Sequence, residues 1–192
     1  SLVQMKKYVL SLKYLLTGVE TINYDLLINM KKSLSDIQII NGYGPTETTV
    51  CSSLFVVNFG ANYIRTPIGK PISNTQAYVL DPHMNLLPIG ATGELYVGGD
   101  GVARGYLNRP ELTQEKFIKN PFSSDPNARL YRTGDLVRWL SDGNLDFIGR
   151  VDNQVKLRGY RIELGEIEVA IREFSHVQDC VVLMKESIDN GD

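Results

Sequence analysis

Asp36-Ile37-Gln38-Ile39-Ile40-Asn41-Gly42-Tyr43-Gly44-Pro45-Thr46-Glu47-Thr48-Thr49 begins as a short apolar run and ends as a polar loop rich in glycine and threonine. The run over 36–40 predicts a buried strand that stops at Asn41-Gly42. Upstream, Leu26, Leu27, Met30 and Leu34 recur at helical spacing within 23–34, which predicts one face of a surface helix. Val9 to Leu16 reads as an earlier strand. Strand, helix, strand predicts part of a parallel α/β sheet. The loop then lies at the end of the second strand, where open α/β sheets usually bind ligands.

The loop has chemistry to offer. Gly42, Gly44 and Pro45 shape a tight turn that can bring backbone N–H groups close to a ligand. Thr46, Thr48 and Thr49 add hydroxyls, Glu47 adds a carboxylate suited to a hard cation such as Mg²⁺, and Tyr43 offers a flat face. The plainer reading is a polar turn after a strand.

Residues 67–150 change character. Thr75–Leu80, Glu94–Gly98, Leu136–Leu140 and Leu145–Ile148 read as short strands separated by clusters such as Gly90-Ala91-Thr92-Gly93 and Ser141-Asp142-Gly143-Asn144. A small β-barrel or curled sheet is expected. Residues 108–118 predict a helix capped by Asn108 with Pro110 in its first turn, and 119–129 an exposed loop. Thr133-Gly134-Asp135 reads as a turn just before a strand. Asp135 there could accept two ribose hydroxyls, as acidic residues do in dinucleotide sites.

From residue 151 the character changes again. Gln154–Leu157 and Tyr160–Ile162 flank Arg158-Gly159 as a hairpin, Leu164–Phe174 follows as an amphipathic helix, and Val177–Met184 as a strand. Four cations and four acids alternate between Arg150 and Glu168, which by itself describes a solvated surface.

Bulk properties exclude several classes. The net charge of −2 argues against a nucleic-acid or anionic-membrane surface. No run of 18 apolar residues, the length needed to cross a bilayer, is present. Cys51 and Cys180 stand far apart with no zinc spacing, so a reducing cytosol is expected. The chain starts without an initiator Met, and a piece of something longer is expected.

In order and spacing, these segments resemble the adenylate-forming (AMP-binding) superfamily, whose members activate a carboxylate with ATP. The resemblance runs from about Lys13 to Met184 and includes Glu94-Leu95-Tyr96-Val97-Gly98-Gly99, Ala103-Arg104-Gly105-Tyr106, Pro110-Glu111-Leu112-Thr113 and Phe117. Within it, YRTGDLVRWLSDGNLDFIGR (131–150) and DNQVKLRGYRIELGEIE (152–168) resemble amino-acid adenylation domains of nonribosomal peptide synthetases. Acyl-CoA synthetases typically carry a proline shortly before the final Glu-Ile-Glu, and Ile162 to Glu166 contains none.

The resemblance implies a mixed α/β and α+β fold: residues 1–66 closing a parallel α/β core subdomain, 67–150 a small distorted β-barrel subdomain, and 151–192 starting a small mobile C-terminal subdomain. It implies formation of an aminoacyl adenylate and pyrophosphate from an amino acid and ATP, followed by transfer to a phosphopantetheine thiol on a peptidyl carrier domain. Other synthetase modules would be partners. Carried over by position, Glu47 would hold Mg²⁺, Thr46 would contact phosphate, and Gly42 and Gly44 would shape the nucleotide loop. Tyr43 would stack on adenine, Asp135 would bind the ribose hydroxyls, Arg150 would contact ribose or phosphate, and Phe147 would pack near the nucleotide. Asp152 matches the family's hinge. Leu16, Gly18, Gly42, Val50 and Cys51 match pocket-lining positions, and their lack of charge points to a neutral, apolar amino acid. Val19 departs from the family's pattern, which often has a second glycine there.

The family's phosphate loop with its lysine, an upstream pocket aspartate and a C-terminal catalytic lysine have no counterpart in these residues, so the chain alone is expected not to catalyse adenylation. The alternatives are a stand-alone carrier-charging ligase, an acyl-CoA synthetase, and a non-catalytic interaction module.

Overall fold

In the computed structural model of the chain, residues 12–18, 22–34, 36–60, 63–152, 154–157 and 160–184 are described. They form two compact units that divide between Val151 and Asp152. Residues 9–11 of the expected first strand, Val19, and the Arg158-Gly159 turn lie outside the described residues.

The first unit opens with β1 (Tyr14–Gly18), α1 (Tyr24–Ser33) and β2 (Gln38–Tyr43). The α1 crossover lays β2 parallel to β1, with Tyr14 opposite Gln38 and Gly18 opposite Gly42. This is the strand–helix–strand unit read from the sequence. Asn23 caps α1, its side chain accepting from the N–H groups of Asp25 at 2.8 Å and Leu26 at 3.4 Å. Asp25 in the first turn and Lys31 and Lys32 in the last suit the helix dipole. Leu27, Met30 and Leu34 of the expected face pack on the core, and only Leu26 departs from it. Tyr24 and Leu27, three residues apart, meet the sheet, and Leu26 is left 50% exposed. They pack with Ile37, Ile39, Phe55 and Val57, and each such burial contributes about 1.5–3 kcal/mol.

β2 continues through Asn41-Gly42 instead of stopping there, because β3 (Ser53–Val56) pairs antiparallel with Ile40 to Tyr43. β4 (Lys70–Pro71) completes this sheet.

A second, antiparallel sheet contains β5 (Thr75–Leu80), β6 (Gly93–Gly99), β7 (Phe117–Lys119), β8 (Arg129–Trp139) and β9 (Leu145–Arg150). Its order is β5-β6-β8-β7, with β9 also on β8. The expected barrel is therefore an open sheet; among the described residues nothing pairs β5 with β7 or β9. β7 spans only 3 residues, too few to carry a closing ladder. One face is covered instead by packing. Tyr43 from β2 joins Ile68, Val79, Leu95, Val97, Val137 and Leu145 in one core cluster. Gly69 bridges to Leu145 where the sheets meet. A Cβ there would lie 1.9 Å from the Leu54 carbonyl oxygen, and φ is +86°, so glycine is required.

Two local expectations are corrected here. Asn108 has φ 55° and does not cap the helix; α2 runs Pro110–Lys116 behind Arg109. Pro110 at its first position disfavours the helical region for the residue before it, and Arg109 has φ −130° and ψ 68°. The end of the expected helix and the start of the expected loop become β7, since Phe117 is drawn onto Tyr131 in the core.

In the second unit, β10 (Val155–Leu157) and β11 (Tyr160–Ile162) form the expected antiparallel hairpin, followed by α3 (Leu164–Arg172). The strand expected over 177–184 is absent. A strand needs a neighbour for its backbone groups, and this segment instead bonds to α3. Val182 N–H donates to Glu168 Oε1 at 2.9 Å, and Arg172 Nη2 donates to the Cys180 carbonyl at 3.1 Å. Among the described residues, no helix is long and apolar enough to cross a membrane.

Candidate functional site

The loop after β2 is closed by its own backbone. Ser52 N–H donates to Tyr43 C=O at 2.7 Å, and Val50 N–H to Pro45 C=O at 3.2 Å. A Cβ on Gly44 would lie 2.6 Å from the Val50 carbonyl oxygen, so only glycine lets the two ends approach. Thr46–Thr48 form a single 3₁₀ turn. Thr49 and Val50 follow with φ of 63° and 68°. That region is unfavourable for β-branched residues, at about 1–3 kcal/mol each. Thr46 is exposed, and Glu47 is buried.

The buried Glu47 is held from a segment 59 residues away: the Tyr106 hydroxyl donates to Glu47 Oε1 at 2.7 Å. The hydroxyls of Tyr106 and Tyr131 lie 3.3 Å apart. Burial, then the Tyr131 and Glu47 hydrogen bonds, push the Tyr106 phenol far above its usual range, so it remains a donor. Ala103 N–H also donates to the Glu47 carbonyl at 2.9 Å, and Thr49 Oγ1 to Gly101 C=O at 2.7 Å. Segment 101–106 thus clasps the loop. Tyr106 was visible in the sequence only as part of a motif, because the signal that reveals its role is spatial.

Asp135 does not precede a strand, as the sequence suggested, but lies within β8 directly opposite Arg150 of β9. Gly134, at φ 74°, turns the chain inside the strand instead of ending one. The Arg150 guanidinium donates to Asp135 Oδ1 at 2.6 Å and to the Thr133 carbonyl at 3.3 Å. The Tyr43 hydroxyl donates to Asp135 Oδ2. Burial first, then the charge of Asp135, raise the Tyr43 pKa well above its ordinary value, so this hydroxyl stays protonated. Two residues from separate motifs, Tyr43 and Arg150, therefore share the carboxylate of a third, Asp135. The Tyr43 ring itself is in the core cluster, and half-buried Phe147 packs against the same cluster from β9.

The residues matched to a substrate pocket divide into two groups. Leu16, Gly18 and Gly42 lie together on β1 and β2. Gly18 faces Gly42 in register, and a Cβ on Gly42 would meet Leu16 Cδ1 at 3.4 Å. A Cβ on Gly18 would lie 2.4 Å from the Gly42 carbonyl oxygen. Val50 and Cys51 are on the far side of the loop. Val50 is exposed, and burial raises the Cys51 thiol pKa. Cys51 and Cys180 are both free thiols. Asp152 opens the second unit and accepts the Gln154 N–H at 3.2 Å.

Comparison with known proteins gives a consistent picture. The family described as AMP-binding enzyme matches residues 2–107. A linear gramicidin synthase of Brevibacillus parabrevis is 51% identical over 187 residues, which is 95% of this chain and 4% of that protein. Tyrocidine synthase 3 of the same organism is 50% identical over 176 residues, covering 92% of this chain and 3% of that protein. Surfactin synthase subunit 2 of Bacillus subtilis (strain 168) is 48% identical over 179 residues, covering 92% of this chain and 5% of that protein. The chain thus spans a small fraction of the curated relatives it matches. Among solved structures, an NRPS protein containing adenylation and PCP domains superposes with a TM-score of 0.82 at 35% identity, over 91% of this chain and 36% of that one.

Proposed function

The chain belongs to the AMP-binding enzyme family, and on that premise we propose that it is part of an ATP-dependent amino-acid adenylation domain of a nonribosomal peptide synthetase. The observation that carries the reading is the convergence of Tyr43 and Arg150 on the Asp135 carboxylate. The gramicidin, tyrocidine and surfactin synthases and the adenylation–PCP structure support it.

In the proposed reaction a carboxylate oxygen of the amino acid attacks the α-phosphorus of ATP. The bond to pyrophosphate breaks and an aminoacyl adenylate forms. A phosphopantetheine thiol on a peptidyl carrier domain then takes the aminoacyl group and AMP leaves.

The residues present fit this substrate. Asp135 already accepts a hydroxyl, that of Tyr43, so the same carboxylate suits a ribose hydroxyl. Binding would exchange one hydroxyl for another and leave the Tyr43 ring beside the base. Arg150, fixed between Asp135 and the Thr133 carbonyl, pairs with that carboxylate and adds positive charge for ribose or phosphate. Phe147 would close the apolar side of the nucleotide, while Gly42, Gly44 and Thr46 line the phosphate side.

Glu47 would hold Mg²⁺. Among the described residues no three His, Cys, Asp or Glu side chains form a metal cage. A single carboxylate fits an ion that keeps water and takes substrate phosphate oxygens as ligands. When bound, the ion would neutralise charge on the phosphates. Glu47, held by Tyr106, would fix where it sits.

We read 1–66 as the end of the α/β core, 67–150 as the β-rich subdomain, and 151–192 as the start of the C-terminal one, with Asp152 as hinge. Leu16, Gly18, Gly42, Val50 and Cys51 would line a pocket for a neutral, apolar amino acid. Two free thiols suit a cytosolic setting.

Amino-acid-dependent ATP–pyrophosphate exchange by the intact protein tests the reading. Exchange with one or a few apolar amino acids, lost in Asp135→Ala, is the expected result. Exchange with fatty or aryl acids alone, or with no substrate, would overturn it.

A further inference from the structure

Thr133-Gly134-Asp135 sits in a break of the β6–β8 ladder. Glu94 pairs with Leu136 and Tyr96 with Arg132, so Leu95 alone stands opposite these three residues. Such a bulge leaves backbone groups without ladder partners. Other bonds replace them. Thr133 Oγ1 donates to the Leu95 carbonyl at 2.7 Å and accepts the Asp135 N–H at 3.0 Å. Val151 N–H donates to the Gly134 carbonyl at 2.8 Å. The Gly134 N–H is taken by a side chain, Glu94 Oε1, at 3.2 Å.

Glu94 is itself gripped from the strand it braces. Arg132 donates through Nε at 2.9 Å and 3.1 Å and through Nη2 at 3.0 Å, a two-pronged ion pair. The Tyr96 hydroxyl adds a longer bond at 3.4 Å. The Glu94 side chain is 12% exposed, so little water competes for these donors. One carboxylate therefore ties the residue before the bulge to the residue at its centre. The next residue is Asp135, whose other neighbour, Arg150, is fixed by the Thr133 carbonyl of the same bulge.

We propose that Glu94, oriented by Arg132, is a positioning residue. It sets the bulge that presents Asp135 and so determines how well the protein distinguishes a nucleotide with ribose hydroxyls from one without. This rests on the reading of Asp135 as the ribose acceptor. It adds two residues outside the nucleotide contacts to the determinants of nucleotide recognition.

Calorimetric binding of ATP and 2′,3′-dideoxy-ATP to the intact protein tests it, with wild type, Glu94→Gln, Arg132→Lys and Asp135→Asn compared. Wild type should favour ATP by on the order of tenfold, the effect of hydrogen bonds to a charged acceptor. Glu94→Gln should weaken ATP several-fold and leave the dideoxy nucleotide nearly unchanged, with Arg132→Lys intermediate and Asp135→Asn showing no preference. Equal weakening of both nucleotides, or no change in their ratio, in Glu94→Gln overturns the inference while a loss of preference in Asp135→Asn keeps the ribose reading. An intact preference in Asp135→Asn overturns both. Should Glu94→Gln fail to fold, Arg132→Lys, which keeps the charge and loses the fork, decides by the same ratio.

Discussion

Arg150 Nη1 and Asp135 Oδ1 lie 2.6 Å apart on facing positions of β8 and β9, and their side chains are only 12% and 6% exposed. Removing one member of such a pair leaves a charge in a site that water hardly reaches, at a cost of about 3–5 kcal/mol. Arg150→Met should therefore raise hydrogen-exchange rates across 131–150 in the intact protein. Adding Asp135→Asn to it should restore part of the protection, because the stranded charge is gone. Unchanged protection in Arg150→Met would show that the pair is not what stabilises this region.

Tyr106 holds the buried Glu47 carboxylate at 2.7 Å from the opposite side of the loop. Tyr106→Phe keeps the ring on Phe117, 5.4 Å between centroids, and removes only the donor. The lost bond to a charged group is worth about 1.5–3 kcal/mol. The expected outcome is a Mg²⁺ requirement for ATP binding raised roughly tenfold. Titration calorimetry at varied Mg²⁺ checks it, and an unchanged requirement would remove Tyr106 from the description of this site.

Gly69 has φ +86° where the two sheets meet, with the Leu54 carbonyl oxygen 1.9 Å from where a Cβ would be. Gly69→Ala should separate the strands and destabilise the first unit by about 2 kcal/mol or more. Limited proteolysis of the intact protein should then cut within 53–71 faster than in wild type.

Tyr63 and Asp142 form a hydrogen bond that makes stability pH-dependent at both ends. Burial, then the bond from Tyr63 to Asp142, raise the Tyr63 pKa from 10.0 to about 12. Its contribution is complete below pH 10.0 and is lost as pH rises through about 12. The Tyr63 bond holds the Asp142 carboxyl below its ordinary 3.8, so that contribution is complete above pH 3.8 and fades as the solution becomes more acid. The melting temperatures of wild type and Tyr63→Phe should differ most between these limits and converge beyond them. Asp142 is exposed, so the difference should be small and should shrink in salt. A constant difference from acid to alkali would exclude the pairing.

By itself the sequence determined the kinds and order of most elements. Thr75–Leu80 matched in full, and the α1 and β10–β11 segments matched within a residue or two, because side-chain period and turn residues are local properties. It also singled out Tyr43, Glu47, Asp135 and Arg150 as candidates, since their motifs are contiguous. The tertiary structure decided what pairing decides. Gly134 has the same left-handed backbone in a turn and in a bulge; only β6 and β9 on either side make it a bulge within β8. The run from Val177 to Met184 has strand-like composition, yet it bonds to α3, because composition cannot supply a neighbouring strand. Leu26 is apolar but faces out, since Tyr24 and Leu27 together had the better fit to the sheet. The meeting of Tyr43 and Asp135, 92 residues apart, and the hold of Glu94 on Gly134 depend on chain crossings between distant strands, and no local pattern of residues encodes such a crossing.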